Sequence, residues 1–375
     1  IGFVLDDTLD KPDGVQQYVL TLGAHFTGQG HEVHYLVGET TRKDIANVHS
    51  LARNIKVRFN QNRLSIPLPS RKSTLKLLLE TQAYDVIHVQ MPFSPQMGGR
   101  IIAAVPHSTA VVATFHILPY SVLEKVASRL LATMQTSSLK RIDQVVSVSE
   151  PAAVFAKAAF SVDSVVVPNA VDIKKFSRGR ALEKYKDNFV ILFLGRLVER
   201  KGVLQLLKAV AAKKDFLSQQ NVKVVVCGKG PLGSKVQRYI KEKDLETLVN
   251  FVGFIEEAEK PDYLASADVA VFPSISGESF GIVLIEAMAA GSKVVIGGNN
   301  PGYASVLAQN ESTLFEPKSI KSFTEILEKF VQNEALCTEV HDVQQELVGQ
   351  YDITVVAAQV MDVYKTAIAK RTNNI

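Results

Sequence analysis

Val269-Ala270-Val271-Phe272-Pro273-Ser274-Ile275-Ser276-Gly277-Glu278-Ser279-Phe280-Gly281-Ile282-Val283-Leu284-Ile285-Glu286-Ala287-Met288-Ala289-Ala290-Gly291 reads as a buried strand, a short loop and a helix. Val269 to Phe272 is an apolar run of strand length, Pro273 to Gly277 is rich in turn residues, and an apolar helical pattern follows. Glu278 then falls in the strand-to-helix turn and Glu286 about two turns into the helix, both near one cleft. A helix that opens after a parallel strand points its unbonded N–H groups toward the carboxyl edge of the sheet, which suits a diphosphate. Beside it Glu278 can meet neutral hydroxyls and Glu286 can bind a ribose. Two glutamates eight apart also recur by chance, and the helix macrodipole alone favours an acid near a helix start.

A second stretch narrows the choice. Gly195-Arg196-Leu197-Val198-Glu199-Arg200-Lys201-Gly202 follows the apolar strand Val190-Ile191-Leu192-Phe193-Leu194 and precedes a helix that begins near Gly202. Arg196 and Lys201 therefore leave the carboxyl end of a neighbouring strand, where two cations can clamp a diphosphate as charge builds on its leaving oxygen.

Together with Pro168-Asn169-Ala170-Val171-Asp172 and Thr114-Phe115-His116, these segments make the chain resemble the retaining glycosyltransferases of family 4. The order and spacing of the motifs fit over essentially the whole chain. Within that family, Gly14-Val15-Gln16, Ala113-Thr114-Phe115-His116 and Glu278-Ser279-Phe280-Gly281-Ile282-Val283-Leu284 are most similar to the bacterial phosphatidylinositol mannosyltransferases. The resemblance implies an α/β chain of GT-B fold: two Rossmann-like, doubly wound parallel-sheet domains facing a central cleft, with a C-terminal helix crossing back to the N-terminal domain. Residues 1–168, completed by 353–375, form the acceptor domain, and 169–352 the nucleotide-sugar donor domain.

Length and composition agree. At 375 residues the chain exceeds the size at which single cores stop growing, and an apolar share of 46% supports two buried sheets. Its two cysteines, Cys227 and Cys337, point to a reducing, cytoplasmic compartment, with Cys227 a core thiol at the end of an apolar strand. No apolar run reaches 18 residues, so nothing in the sequence spans a bilayer. The chain opens on the strand Ile1-Gly2-Phe3-Val4-Leu5, which leaves no room for a signal peptide, and the absent initiator Met points to a short missing piece ahead of it.

The net charge of +4 is unevenly spread. Between Arg42 and Lys76 stand nine basic residues (Arg42, Lys43, Arg53, Lys56, Arg58, Arg63, Arg71, Lys72 and Lys76) and one acid, Asp44; that balance of +8 leaves −4 for the rest. A basic segment confined to the first domain suits an anionic membrane surface, at about 1 kcal/mol for each residue near it, and so a peripheral position on the inner face of the cytoplasmic membrane. The bland alternative is a solvated face. Nucleic acid is excluded as a partner, because interleaved aromatics are lacking and the remainder of the chain is acidic.

Apolar strands alternate with helical patterns, as in right-handed βαβ units. The expected strands are Ile1–Leu5, Glu32–Val37, Ile55–Phe59, Val86–Val89, Val111–Phe115, Val145–Val148 and Val165–Val167, then Val190–Leu194, Val222–Val226, Val249–Val252, Val269–Phe272, Val294–Ile296 and Thr313–Phe315. A last helix is expected from Ile353 to Ala369.

In the first domain, Pro12-Asp13-Gly14-Val15-Gln16 sits between strand and helix, where Gly14 lets backbone approach a phosphate or sugar. The resemblance assigns this loop to the donor's β-phosphate and to the acceptor, with Asp13, Gln16 and Thr114 on the acceptor side. Asp13 stands where a second glycine is common in the family, and Asp7 where the mannosyltransferases use an aromatic. His116, at the carboxyl end of its strand, is implied to hydrogen-bond a donor-sugar hydroxyl, while His31, His34 and His88 read as structural. Histidine spacing offers no dedicated metal site. Base recognition is expected from Cys227-Gly228-Lys229-Gly230-Pro231 and Val252-Gly253-Phe254-Ile255, so Lys229, Gly253, Phe254 and Ile255 join Gly14, Ser279, Phe280, Gly281, Ile282 and Glu286 as donor-binding residues. The chain lacks the full Gly-x-Gly-x-x-Gly fingerprint and a Walker lysine, against dehydrogenase or phosphoryl-transfer chemistry.

The function implied is metal-independent transfer, with retention, of a hexose from a nucleoside diphosphate sugar, mannose from GDP-mannose, to a lipid-linked or polyol acceptor such as phosphatidylinositol. No cofactor is implied. Arg196 and Lys201 stabilise the departing diphosphate, Glu278 positions sugar hydroxyls, Glu286 holds the ribose, and the leaving phosphate takes the acceptor's proton. The alternatives are a UDP-sugar donor with another acceptor, a nucleotide-sugar epimerase of the same fold, and a non-catalytic sugar-nucleotide or lipid-binding protein.

Overall fold

The computed structural model describes residues 1–10, 13–59, 62–68, 71–91, 97–116 and 136–373, and of these the side chains of 55–59, 62–67, 136, 137 and 311 lie outside the description. The chain forms two compact units, Ile1–Ala170 with Ile353–Ile375, and Val171–Asp352.

In the first unit the strands are β1 (Gly2–Leu5), β2 (His34–Val37), β3 (Val48–Ser50), β4 (Asn54–Phe59), β5 (Asn62–Pro67), β6 (Val86–Gln90), β7 (Ala110–Phe115), β8 (Gln144–Ser147) and β9 (Val165–Val166). Seven of them make one sheet in the order β3-β2-β1-β6-β7-β8-β9, parallel throughout. The expected strand at Ile55–Phe59 is not among them. β4 instead pairs antiparallel with β5, Arg58 in register with Arg63. Its composition explains the difference: Asn54-Ile55-Lys56-Val57-Arg58-Phe59 alternates polar and apolar, as a half-solvated strand does, whereas a strand covered on both faces reads as an unbroken apolar run. The polar triplet Val48-His49-Ser50 takes the sheet edge.

The second unit contains β10 (Phe189–Leu194), β11 (Val222–Cys227), β12 (Val249–Gly253), β13 (Val269–Phe272), β14 (Val294–Gly298) and β15 (Leu314–Phe315), all parallel in the order β12-β11-β10-β13-β14-β15. In each sheet the strand order reverses beside the first strand, between β1 and β6 and between β10 and β13. Loops leaving the carboxyl ends of the two strands at such a point diverge and open a crevice. The second core gathers Ile191, Phe193, Leu206, Val224, Val271 and Ile296 under flanking helices.

The helix Ile353–Thr372 belongs to the first unit and buries Val356, Val360, Val363, Tyr364 and Ala367, one face of a helix, among Phe3, Leu22 and Phe26. Polar contacts also hold it, among them Lys370 Nζ donating to Asp143 O at 3.0 Å and Arg371 Nη2 to Arg141 O at 2.8 Å. Tyr364 Oη lies 2.7 Å from His88 Nδ1 on β6. Near its C-terminus Arg371 Nε reaches both oxygens of Asp143, at 2.7 and 2.8 Å, and Asp143 also accepts from Arg141 at 3.3 Å and from the Val111 amide at 2.8 Å. Asp143 is 6% exposed, so its charge rests on these donors. Asp143→Asn leaves two guanidinium groups without their anion and is expected to destabilise the chain by about 3–5 kcal/mol, seen as a lower urea midpoint by circular dichroism. A loss below about 1 kcal/mol would mean that the helix does not depend on the Asp143 ion pair.

Candidate active site

The crevice of the second unit is built by the loops after β10 and β13. After β10 the chain makes a 3-10 turn at Glu199–Lys201 and enters the helix Val203–Ala212 through Gly202, whose φ is +75°. A Cβ on Gly202 would lie 1.9 Å from Pro273 O, at the end of β13, so only glycine lets the two loops approach. The Ile275 amide donates to Arg200 O at 2.8 Å and locks them together.

That closeness delivers cations to Glu278. Its Oε1 lies 2.7 Å from Arg200 Nη1, 2.9 Å from Lys201 Nζ and 2.8 Å from Ser274 Oγ. Glu278 is 9% exposed. Burial pushes its pKa up, but Lys201, Arg200 and the hydrogen bonds from Lys201 and Ser274 outweigh it and hold the carboxyl below the ordinary glutamate value. Lys201 is pulled down by its own burial, opposed by Glu278 and reinforced by Arg200 and Arg196. The structure thus brings Arg196, Lys201 and Glu278 into one electrostatic group. Arg200, which the sequence reading passed over, joins them; its signal was the Arg200-Lys201 pair in the turn already singled out.

The helix after β13 is Ile282–Ala289, so Glu286 lies about one turn in rather than two. It opens at Gly281, whose φ is +110° and where a Cβ would lie 2.6 Å from the Tyr303 ring. The N–H groups of Ile282 and Val283 are the donors that a helix start leaves without intrahelical partners. Ser279 is half-buried, while Phe280 turns inward against Tyr351, centroids 5.5 Å apart, so its backbone is what faces the loop. Glu286 is 4% exposed and accepts from Lys260 Nζ at 3.0 Å; the same ammonium lies 2.9 Å from Glu257. Burial raises the Glu286 pKa in spite of Lys260, while Lys260, opposed by its own burial, is raised by Glu286 and Glu257. No sequence pattern links Lys260 to Glu286, because the two sit on different helices. On the neighbouring loops Lys229 stands over the Phe254 ring, 3.6 Å from its centroid, next to Gly253 and Ile255.

In the first unit, Asp13 is the N-cap of the helix Gly14–Gly28, of which Gly14 is the first residue; Pro12 lies outside the described residues. Gln16 and Thr114 turn inward, 3% and 0% exposed, with Gln16 Nε2 donating to Thr8 O at 3.2 Å and Thr114 Oγ1 lying 2.6 Å from His88 Nε2. His116 Nε2 donates to Gln90 Oε1 at 2.7 Å, and its ring packs edge-on to Tyr18. Burial depresses both His88 and His116 to about 3. Cys227 and Cys337 are buried thiols, Cys227 pushed up to about 12. Among the described residues no group of three or more His, Cys, Asp or Glu is placed to hold a metal ion.

Residues 175–346 match the family described as Glycosyl transferases group 1, and residues 12–175 match Glycosyltransferase Family 4. The phosphatidyl-myo-inositol mannosyltransferase of Mycolicibacterium smegmatis is 30% identical to this chain over 375 residues, 98% of this chain and 93% of that one. The chain belongs to glycosyltransferase family 4. Among solved structures, a glycosyltransferase from Rickettsia africae matches this glycosyltransferase with a TM-score of 0.76 at 17% identity, covering 98% of each chain. The HepE protein of Anabaena, in complex with UDP and glucose, matches with a TM-score of 0.71 at 16% identity, covering 96% of this chain and 98% of that one. At such identities the likeness is one of fold, and that fold is GT-B. The family inferred from Arg196, Lys201, Glu278 and Glu286 is therefore the one to which the chain belongs.

Neutral histidines in the glycosyltransferase's first unit carry a direct expectation. The imidazole nitrogens of His88 and His116 keep the NMR signature of the neutral ring from neutral pH down to about pH 5, because a lowered histidine pKa moves protonation to more acid solution. A protonated signal from His116 at about pH 6 would contradict its burial.

Proposed function

We propose that this glycosyltransferase moves mannose from GDP-mannose to phosphatidylinositol or a related lipid-linked or polyol acceptor, with retention at the anomeric carbon and without a metal ion. Supporting it most strongly is the cationic cluster at Glu278 in a chain that is, over nearly its whole length, a relative of the mycobacterial phosphatidyl-myo-inositol mannosyltransferase. In this proposal Arg196 and Lys201 meet the charge that grows on the β-phosphate as the bond from the anomeric carbon breaks, a demand that a divalent ion meets elsewhere. The N–H groups at the start of Ile282–Ala289 add to that stabilisation. Glu278 orients the sugar's hydroxyls, Glu286 accepts from the ribose, and His116 offers a neutral hydrogen bond to a sugar hydroxyl. The acceptor oxygen bonds the anomeric carbon on the face the phosphate leaves, and its proton passes to the phosphate, so no protein nucleophile takes part.

A donor panel of GDP-mannose, UDP-glucose and UDP-N-acetylglucosamine, incubated in EDTA with phosphatidylinositol vesicles and analysed by mass spectrometry, tests this. Mannosylated phosphatidylinositol from GDP-mannose alone is expected. Consumption of another donor, an epimer formed without acceptor, or turnover that stops in EDTA and returns with Mn²⁺ would overturn it.

The proposal also places the enzyme on an anionic membrane surface through Arg42 to Lys76. No described helix is long and apolar enough to cross a membrane. Arg71 and Lys72 are exposed, as are Leu68 and Leu77, 42% and 67% exposed, so this stretch of chain offers both cations and apolar groups to a lipid interface. Arg42 pairs with Asp44 and Lys76 with Glu80, which reduces the free charge; the side chains of Lys56, Arg58 and Arg63 lie outside the description. Replacing Arg58, Arg63, Arg71 and Lys72 with Gln is expected to weaken binding to anionic vesicles by up to about 4 kcal/mol and to flatten its salt dependence, measured by vesicle sedimentation. Unchanged binding would make the segment a solvated face.

A further inference from the structure

Glu278 is gripped unevenly. Arg200, Lys201 and Ser274 all converge on Oε1, and among the described residues no donor is recorded on Oε2. Two of the three are cations on long side chains that a bound diphosphate would attract. Ser274 differs: it is 1% exposed, carries a short side chain at the end of β13, and its position is set by the backbone. Behind it lies a second layer. Tyr303, 1% exposed on the helix Pro301–Leu307 after β14, donates its hydroxyl to Ser274 Oγ at 3.3 Å. Asn300 caps that helix by accepting from the Tyr303 amide at 3.1 Å, and its Nδ2 donates to Ser274 O at 3.1 Å and to Gly298 O at 2.9 Å. Gly281 leaves the space the Tyr303 ring occupies.

The chemistry of the chain of hydroxyls fixes its direction. An ionised carboxylate only accepts, so Ser274 must give its proton to Glu278, and its oxygen is left to accept from Tyr303. A hydroxyl polarised in this way binds a carboxylate more strongly than an isolated one. Building on the proposed role of Glu278, we propose that Ser274 and Tyr303 are positioning residues, which commit Oε1 to the protein and present Oε2 to the hydroxyls of the donor sugar while Lys201 turns to the diphosphate.

The titratable and charged groups facing Glu278 are Arg200, Lys201 and Tyr303, with Arg196 acting on Lys201. Of these the Tyr303 hydroxyl stays neutral, raised well above its ordinary value by burial and by Glu278. Removing the Ser274 donor lifts a carboxyl pKa that Ser274 helps to depress, so the acid limb of activity moves to higher pH.

The test uses the full chain and compares Ser274→Ala, Ser274→Thr, Tyr303→Phe and Glu278→Gln, each checked for folding by circular dichroism. The expected result for Ser274→Ala is a fall in kcat of about tenfold or more, donor KM changed by less than about twofold, and an acid limb displaced upward. Ser274→Thr restores both, and Tyr303→Phe gives a smaller loss in the same direction. Unchanged kcat and pH profile in Ser274→Ala, alongside an inactive Glu278→Gln, would overturn the positioning role and leave Glu278 in the site. Full turnover in Glu278→Gln would overturn the role of Glu278 itself. Should Ser274→Ala fail to fold, Tyr303→Phe decides, since it removes only the hydroxyl, and wild-type kcat and acid limb in that variant would overturn the proposal.

Discussion

A carboxylate buried away from water keeps its charge only if positive groups and hydrogen-bond donors replace the solvent. At Glu278 that replacement comes from Arg200, Lys201 and Ser274, and the second unit is arranged so that these groups can meet. Arg200 and Lys201 leave β10, and Ser274 and Glu278 leave β13; the two strands are neighbours because the strand order reverses there. Gly202 admits the contact between the loops, and Gly281 admits Tyr303 behind them. Charge, loop geometry and sheet order thus depend on one another, and the carboxylate that stabilises the cations also fixes their place between the two loops.

The first unit solves a different problem. The histidines of β6 and the end of β7 are neutral and buried, and protein groups pair with them: His88 lies between Thr114 and Tyr364, and His116 on Gln90. Tyr364 comes from the C-terminal helix, so a segment more than 270 residues away in sequence completes this network. Asp143 and Arg371 hold the same helix near its far end. The ring that family resemblance assigns to a sugar hydroxyl is therefore one that burial favours in its neutral form.

Much of this was legible in the sequence. Unbroken apolar runs such as Val190 to Leu194 and Val269 to Phe272 identify buried parallel strands because both faces are covered, and they alternate with helices in the pattern of two wound sheets. The turn residues between them locate Glu278, Arg196 and Lys201 at the carboxyl ends of their strands. Ile55 to Phe59 was also legible as a strand, but not its partner: alternation shows that one face is solvated without saying which strand lies beside it. The triplet Val48 to Ser50 had no apolar signal, and it joins the sheet because the edge beside β2 was open.

What the sequence by itself determined is the local order: which segments are strands, which loops follow them, and which charged residues those loops carry, because burial periodicity and turn chemistry are short-range properties of the chain. What only the tertiary structure decided is which charges meet. Arg200, rather than Lys201 alone, binds Glu278; Lys260 reaches Glu286 from another helix; Tyr303 stands behind Ser274; and Tyr364 closes on His88. The physical reason is that a buried ionised or hydroxyl group must take its partner from whatever packing brings within about 3 Å, and packing across sheets and helices leaves no trace in the spacing of residues along the chain.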